Sequence, residues 1–199
     1  MKYSIISTYP EKGSKNIGDG LISQTTINAI KSIKGKKNIF HIVWREADWE
    51  DVKNQILNSD AVIFACLAIR KNMGDKTYPY LQQLLDSKIP IGVISAGTSL
   101  EMNNINHIYS GFSEKDKKLL VTLNNKALFF TTRGYLSQSF CKFHRLKNVT
   151  HSGDIAFFDS RFTNRKFQSK QTIKKIAISD PHHSGVFFNS FKSLVARLK

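Results

Sequence analysis

Short apolar runs alternate with longer amphipathic stretches along the chain, and this alternation constrains the fold more than any other feature. Ala61-Val62-Ile63-Phe64-Ala65 is apolar at every position, as expected of a strand buried on both faces of a sheet. Between such runs lie stretches whose apolar residues recur at helical spacing. That order is the signature of βαβ units, and it predicts an α/β fold: a Rossmann-like, mostly parallel sheet flanked by helices. Strands are expected at 2–8, 39–43, 61–65, 91–95, 127–131 and 149–152. Helices are expected at 19–33, 49–58, 79–87 and 133–143, with another running from the cap Ser113 to about 124. The spacing turns Ile22, Ala29, Ile30 and Ile33 inward on the first helix, and Val52, Ile56 and Leu57 on the second. On the fifth it turns Leu136, Phe140 and Phe143 inward. Residues 96–111 are polar, Asn-rich and without a clear period, which reads as a long loop. A last strand at 175–179 and a helix at 186–198 follow, with Phe187, Phe191, Leu194 and Leu198 on one helix face.

A chain of 199 residues buries roughly two thirds or more of its unfolded surface and needs no disulfide or structural metal to fold. Its two cysteines, Cys66 and Cys141, lie far apart without a CxxC pair, which argues against a disulfide framework or a Cys-rich zinc site. Cys66, in its apolar context, reads as a buried and inert thiol. No apolar run approaches the ~20 residues of a membrane span, and the first strand is too short for a signal-peptide core. These features lead us to expect a cytoplasmic protein, with the membrane surface as a further place of association, and no cofactor or metal.

The net charge of +15 is unevenly placed: residues 1–99 carry 13 basic and 9 acidic side chains, residues 100–199 carry 17 and 6. The stretch from Arg161 to Lys175 holds six cations and no acid. It reads either as a solvated linker or as a segment that attracts phosphate, nucleic acid or another polyanion. A non-catalytic α/β module that binds nucleic acid or another polyanion is therefore one function class open to the chain, and a glycosyltransferase-like enzyme acting as a dimer is another. Asn148-Val149-Thr150 is formally a glycosylation sequon, expected to be unused without a secretion signal.

Ligands of open α/β sheets bind at the carboxyl ends of the strands, so the loops there are the candidate site. Asn16-Ile17-Gly18-Asp19-Gly20 precedes the first helix, where glycines allow close backbone approach and a helix N-terminus offers N–H groups to an anion. The alternative is a structural turn in which Asp19 caps the helix. The segment is neither a dinucleotide fingerprint nor a P-loop, because a third glycine and a lysine are missing. Ser95-Ala96-Gly97 ends a strand with small residues. Arg133 follows another strand, with Ser137 one turn later, and is placed either to clamp an anion or to pair with Asp19 or Asp154. Ser152-Gly153-Asp154 ends the next. His182 and His183 stand at a further strand end and are the candidate catalytic imidazoles.

Taken in order, four segments resemble the polysaccharide pyruvyl transferase family. Asn16-Ile17-Gly18-Asp19 is similar to its N-x-G-D opening, and Ile89–Gly97 to its strand ending in a glycine turn. Arg133-Gly134-Tyr135-Leu136-Ser137 is similar to its Arg-x-x-x-Ser step, and Gly153-Asp154-Ile155-Ala156-Phe157 to its G-D-x-A-F segment. The resemblance implies facing Rossmann-like halves of glycosyltransferase-B type, of which residues 1–160 correspond to the N-terminal half. Residues 161–175 would then be a basic linker, and 176–199 the start of a shortened second half or a βα unit packing back on the first. It further implies transfer of a pyruvyl group from phosphoenolpyruvate to a sugar of a surface polysaccharide, with a partner chain or a second copy completing the site. Asn16, Gly18, Asp19, Gly97, Arg133, Ser137 and Asp154 would bind substrate. One departure is that Phe64-Ala65-Cys66-Leu67-Ala68 stands where the family carries a glycine-rich turn.

Overall fold

The computed structural model describes residues 1–9, 16–98, 112–159, 161, 188–189, 192–193 and 196–197. The chain divides into two units, Met1–Asn164 and Arg165–Lys199. In the second unit the described residues are helical, within the helix expected at 186–198. The strand expected at 175–179, most of the basic stretch, and His182 and His183 lie outside the described residues.

The first unit is built on a seven-stranded sheet in which every described pairing is parallel. Its strands are β1 (Lys2–Ser7), β2 (Ile39–Trp44), β3 (Ala61–Ala65), β4 (Ala68–Ile69), β5 (Ile91–Thr98), β6 (Ala127–Thr132) and β7 (Val149–His151). They lie in the order β2-β1-β3-β5-β6-β7, with β4 paired to the far end of β5. The connections are α1 (Ile17–Lys34), α2 (Trp49–Leu57), α3 (Leu81–Asp86), α4 (Glu114–Lys126) and α5 (Tyr135–Phe143). A π-helical turn at Met73–Thr77 and a 3₁₀ turn at Ile155–Phe158 complete the described unit. This is the expected α/β, Rossmann-like arrangement. Among the described residues no helix is long and apolar enough to cross a membrane.

Strand alternation divides the core between the two sheet faces. Ile6, Val43, Val62, Phe64, Val93 and Phe130 face the layer of α2, α3, α4 and α5. Tyr3, Ile5 and Ile63 face the other way and pack against Ile27 of α1. Deletion of any one of these rings or branched chains would leave a cavity. Asp116, nearly fully buried, ties α4 to the π turn: its carboxylate accepts Asn72 N at 2.9 Å and Ser113 Oγ at 2.8 Å. Ser113 Oγ accepts Asp116 N in return, as its expected capping role requires.

Several expected details are corrected. Ile33 is exposed, because an 18-residue helix is about 27 Å long and outruns strands of six residues, about 20 Å. Leu57 is likewise exposed at the end of α2. On α5, Leu136 and Phe143 are exposed, and Ser137, Phe140 and Cys141 form the buried face. Helical spacing fits both stripes; the contact of Ser137 with the end of β5 selects the second. Strand β5 continues through Thr98, three residues into the expected loop, because Gly97 N donates to Leu67 O and β4 pairs alongside.

Candidate functional site

The carboxyl ends of β1, β2, β3, β5 and β6 surround a pocket of about 110 Å³. Ser7, Arg45, Cys66, Gly97 and Arg133 line it from those five strand ends, and Asp19 and Arg70 also contribute. Three guanidinium groups and the Asp19 carboxylate line it directly, with Glu46 beside Arg45 and Asp154 beside Arg133 outside the lining. What the pocket offers an anion is therefore planar N–H donors more than net charge.

Asn16, not Asp19, caps α1: its side-chain oxygen accepts Gly18 N at 2.9 Å. A Cβ on Gly18 would lie 3.2 Å from that oxygen, so glycine leaves the cap its room. Asp19 N and Gly20 N donate to Asn16 O. The amides of Gly18, Asp19 and Gly20 are thus satisfied within the turn, which leaves the guanidiniums as the main anion donors of the pocket. Asp19 turns its half-buried side chain to the pocket. Ser7 Oγ and Ser23 Oγ lie 2.6 Å apart and fasten the end of β1 to α1.

Arg133 lies across the end of β5. A Cβ on Gly97 would stand 2.8 Å from Arg133 Nε and 3.0 Å from Nη2, so a residue with no side chain is what lets the guanidinium rest there. Arg133 Nη1 is 3.8 Å from Asp154 Oδ2 and 3.8 Å from Cys66 Sγ. Asp154 Oδ1 meanwhile accepts Ala156 N at 3.0 Å and caps the 3₁₀ turn, which fixes the carboxylate. Of the two carboxylates considered as partners for Arg133, Asp154 is the one within ion-pair distance. Ser137 is buried and accepts Thr98 N at 3.1 Å, so it positions the end of β5.

Beneath Asp154 lies a polar clamp. Ser95, fully buried with φ of 55°, donates from Oγ to Gly153 O at 2.8 Å and accepts Ile155 N at 2.9 Å. Its own N–H donates to Thr131 Oγ1 at 2.9 Å, where Ser152 Oγ also lies at 2.8 Å. The β5–β6 register shifts between Val93 and Ala96, so Ser95 occupies a bulge, a device that re-aims side chains beside functional sites.

Cys66 is half-buried and forms part of the pocket wall, more exposed than its apolar sequence context implied. Burial pushes its thiol up to about 11, against the opposing pull of Arg133. The thiol therefore stays protonated at neutral pH, and its thiolate appears only as pH rises toward that value. Alkylation of Cys66 at pH 8 is expected to run roughly a hundredfold slower than for an ordinary thiol, whose pKa is ~8.5. Arg133→Ala should slow it further; alkylation at the free-thiol rate would contradict this environment. Cys141, buried and pushed up to about 12, adds little to the signal.

Arg45 and Arg70 were not among the expected site residues. Arg45 had a readable signal, since it follows the strand 39–44 just as Arg133 follows β6. Arg45 Nε and Nη2 each lie 3.0 Å from Glu46 Oε1, which holds the guanidinium at the wall. Arg70 had none, because the strand before it is two residues long. Among the described residues no three His, Cys, Asp or Glu side chains gather to hold a metal ion.

The polysaccharide pyruvyl transferase family model matches residues 16–198. No curated protein and no solved structure matches the chain.

Proposed function

The chain belongs to the polysaccharide pyruvyl transferase family, and on that premise we propose that it transfers the pyruvyl group of phosphoenolpyruvate to a sugar of a surface polysaccharide. The family implies a pyruvyl donor and a sugar or polysaccharide acceptor. The observation that carries the site assignment is the convergence of Arg45, Arg70 and Arg133 on one pocket at the strand ends. The pocket has room for a phosphate- or carboxylate-sized group, so the sugar of a sugar-phosphate acceptor would extend outside it.

In this reading Arg133 clamps the anion, Asp154 and Gly97 position Arg133, and Ser137 fixes the strand end beneath it. Asn16 and Gly18 shape the rim, and Asp19 is placed to accept hydrogen bonds from sugar hydroxyls. Transfer requires a proton on the methylene carbon of the enolpyruvyl group while an acceptor hydroxyl attacks its C2. A second hydroxyl then displaces phosphate and closes the ketal. His182 and His183 are proposed as candidate sources of that proton. The reaction would proceed on the cytoplasmic side, where phosphoenolpyruvate is supplied. Membership of the family does not favour a non-catalytic nucleic-acid-binding module.

The test is incubation of the full chain with phosphoenolpyruvate and candidate glycans, alone and mixed with the product of a neighbouring gene. Phosphate release together with a ketal-bearing glycan supports the assignment. Absence of both across acidic, neutral and lipid-linked acceptors would reject it.

A further inference from the structure

The parallel sheet separates the loops that leave the strands from the loops that enter them, and the two sets carry different charge. Among the described residues the leaving loops are balanced: Arg45, Arg70, Lys71 and Arg133 stand against Asp19, Glu46, Asp48 and Asp154. The entering side is not. Lys2 opens β1, Lys34 closes α1, Lys36 and Lys37 precede β2, Lys88 precedes β5 and Lys126 precedes β6. All six are exposed. The acids there are Asp60 and Asp86, and Asp60 already accepts Lys2 N at 2.7 Å.

The pairings place these lysines along one edge. Lys2 stands opposite Ile39, Tyr3 opposite Ala61, Val62 opposite Ile91, and Ile91 opposite Ala127. Five neighbouring strands span about 20 Å at the usual spacing of ~4.8 Å. The helix ends confer part of this pattern, since cations complement the negative end of a helix, and Lys126 Nζ donates to Leu85 O. Lys2, Lys36, Lys37 and Lys88 belong to no helix and are left unexplained by that effect.

The same edge exposes large apolar side chains. Ile33 is 77% exposed and Leu128 76%, with Ile39 and Leu57 at half or more. Leu128 protrudes because the β5–β6 register shifts between Ile91 and Gly92, leaving it without a partner across the pair. Aliphatic side chains interspersed with lysines suit an interface of acyl chains and anionic headgroups. Nucleic acid would be met by arginine forks and several stacking rings; this edge offers lysines, aliphatics and one exposed ring, Phe129, 42% exposed beside Leu128.

We propose that the strand-entry edge of the first unit docks on an anionic lipid bilayer, through its lysines at the headgroups and Ile33, Ile39, Leu57 and Leu128 at the acyl boundary. The pocket lies at the opposite ends of the strands, so docking leaves its mouth open. The surface is independent of the pyruvyl-transfer reading and stands or falls separately from it.

Vesicle co-sedimentation of the full chain tests this, using phosphatidylcholine alone and an equimolar mixture with phosphatidylglycerol. Binding is expected to the anionic vesicles, to weaken as salt is raised, and to be lost on neutral ones. Lys36→Glu combined with Lys37→Glu should weaken partitioning roughly tenfold or more, because each cation near such a surface counts separately. Leu128→Ser should weaken it at both low and high salt, whereas the charge variant acts mainly at low salt. Thermal melts confirm that each variant is folded. Equal binding to both vesicle types overturns the proposal, as does undiminished binding by the Lys36/Lys37 variant. Tighter binding to duplex or single-stranded DNA than to the anionic vesicles would likewise overturn it in favour of nucleic acid.

Discussion

Arg133→Ala is expected to lower affinity for inorganic phosphate, and pyruvyl transfer where it is assayed, by roughly tenfold to hundredfold. Its melting temperature should scarcely change. The Arg133 side chain is 46% exposed, and the nearest carboxylate oxygen, on Asp154, is 3.8 Å away. An exposed pair of that kind contributes about 0–1 kcal/mol to stability. The guanidinium is thus available to a ligand and costs the fold little to lose. Arg133→Lys should recover only part of the loss, since an ammonium cannot reproduce a planar two-donor contact. Gly97→Ala approaches the same defect from below. The new Cβ would stand 2.8 Å from Nε, and the guanidinium, being the end of a flexible side chain, swings away. Calorimetric titration of phosphate into the three proteins checks the scheme. The double variant Gly97→Ala with Arg133→Ala should bind no worse than Arg133→Ala alone, because both changes remove one interaction. Unchanged affinity in Arg133→Ala would mean that the pocket is not where the anion sits.

The fold was readable because the informative residues form short apolar strands, buried at Ala61–Ala65 and partly buried at the sheet edge in Ile39–Trp44. Ala61–Ala65 and Ile39–Trp44 have compositions that suit few other structures, and the parallel order follows from helices of sufficient length between them. What escaped sequence reading depends on contacts between distant segments. Strand β4 exists because Ala68 N donates to the hydroxyl of Tyr78, ten residues on, and because Gly97 lies opposite. The inward face of α5 was ambiguous until Ser137 met Thr98 N. In the site, Arg133, Gly97 and Asp154 were each identifiable as strand-end residues. That Gly97 exists to seat Arg133 could not be inferred, since 36 positions separate them. Arg70 reaches the pocket only because the chain makes a left-handed turn at Cys66, with φ of 65°, on leaving β3.

Ser95 illustrates the same dependence and carries the largest expected effect on stability. Its hydroxyl bridges Gly153 O, at a half-buried turn, and Ile155 N, which lies buried. Ser95→Ala leaves Ile155 N unpaired and Gly153 O with Ser152 Oγ, 3.1 Å away, as its remaining donor, at a cost of about 1–3 kcal/mol. Ser95→Gly loses the same two bonds yet relieves the left-handed backbone, φ of 55°, that a side chain resists. It should therefore unfold at higher denaturant than Ser95→Ala, by about 1 kcal/mol, an order opposite to that at an ordinary strand position. The two variants also separate clamp from backbone in function. Without the bridge, the loop that presents Asp154 to Arg133 is no longer tied to β5, and phosphate affinity should fall in both variants alike. Should Ser95→Gly retain full affinity while Ser95→Ala loses it, the bulge geometry and not the hydroxyl would be what aims the site. Equal stability of Ser95→Ala and the parent protein would remove the clamp from the account altogether.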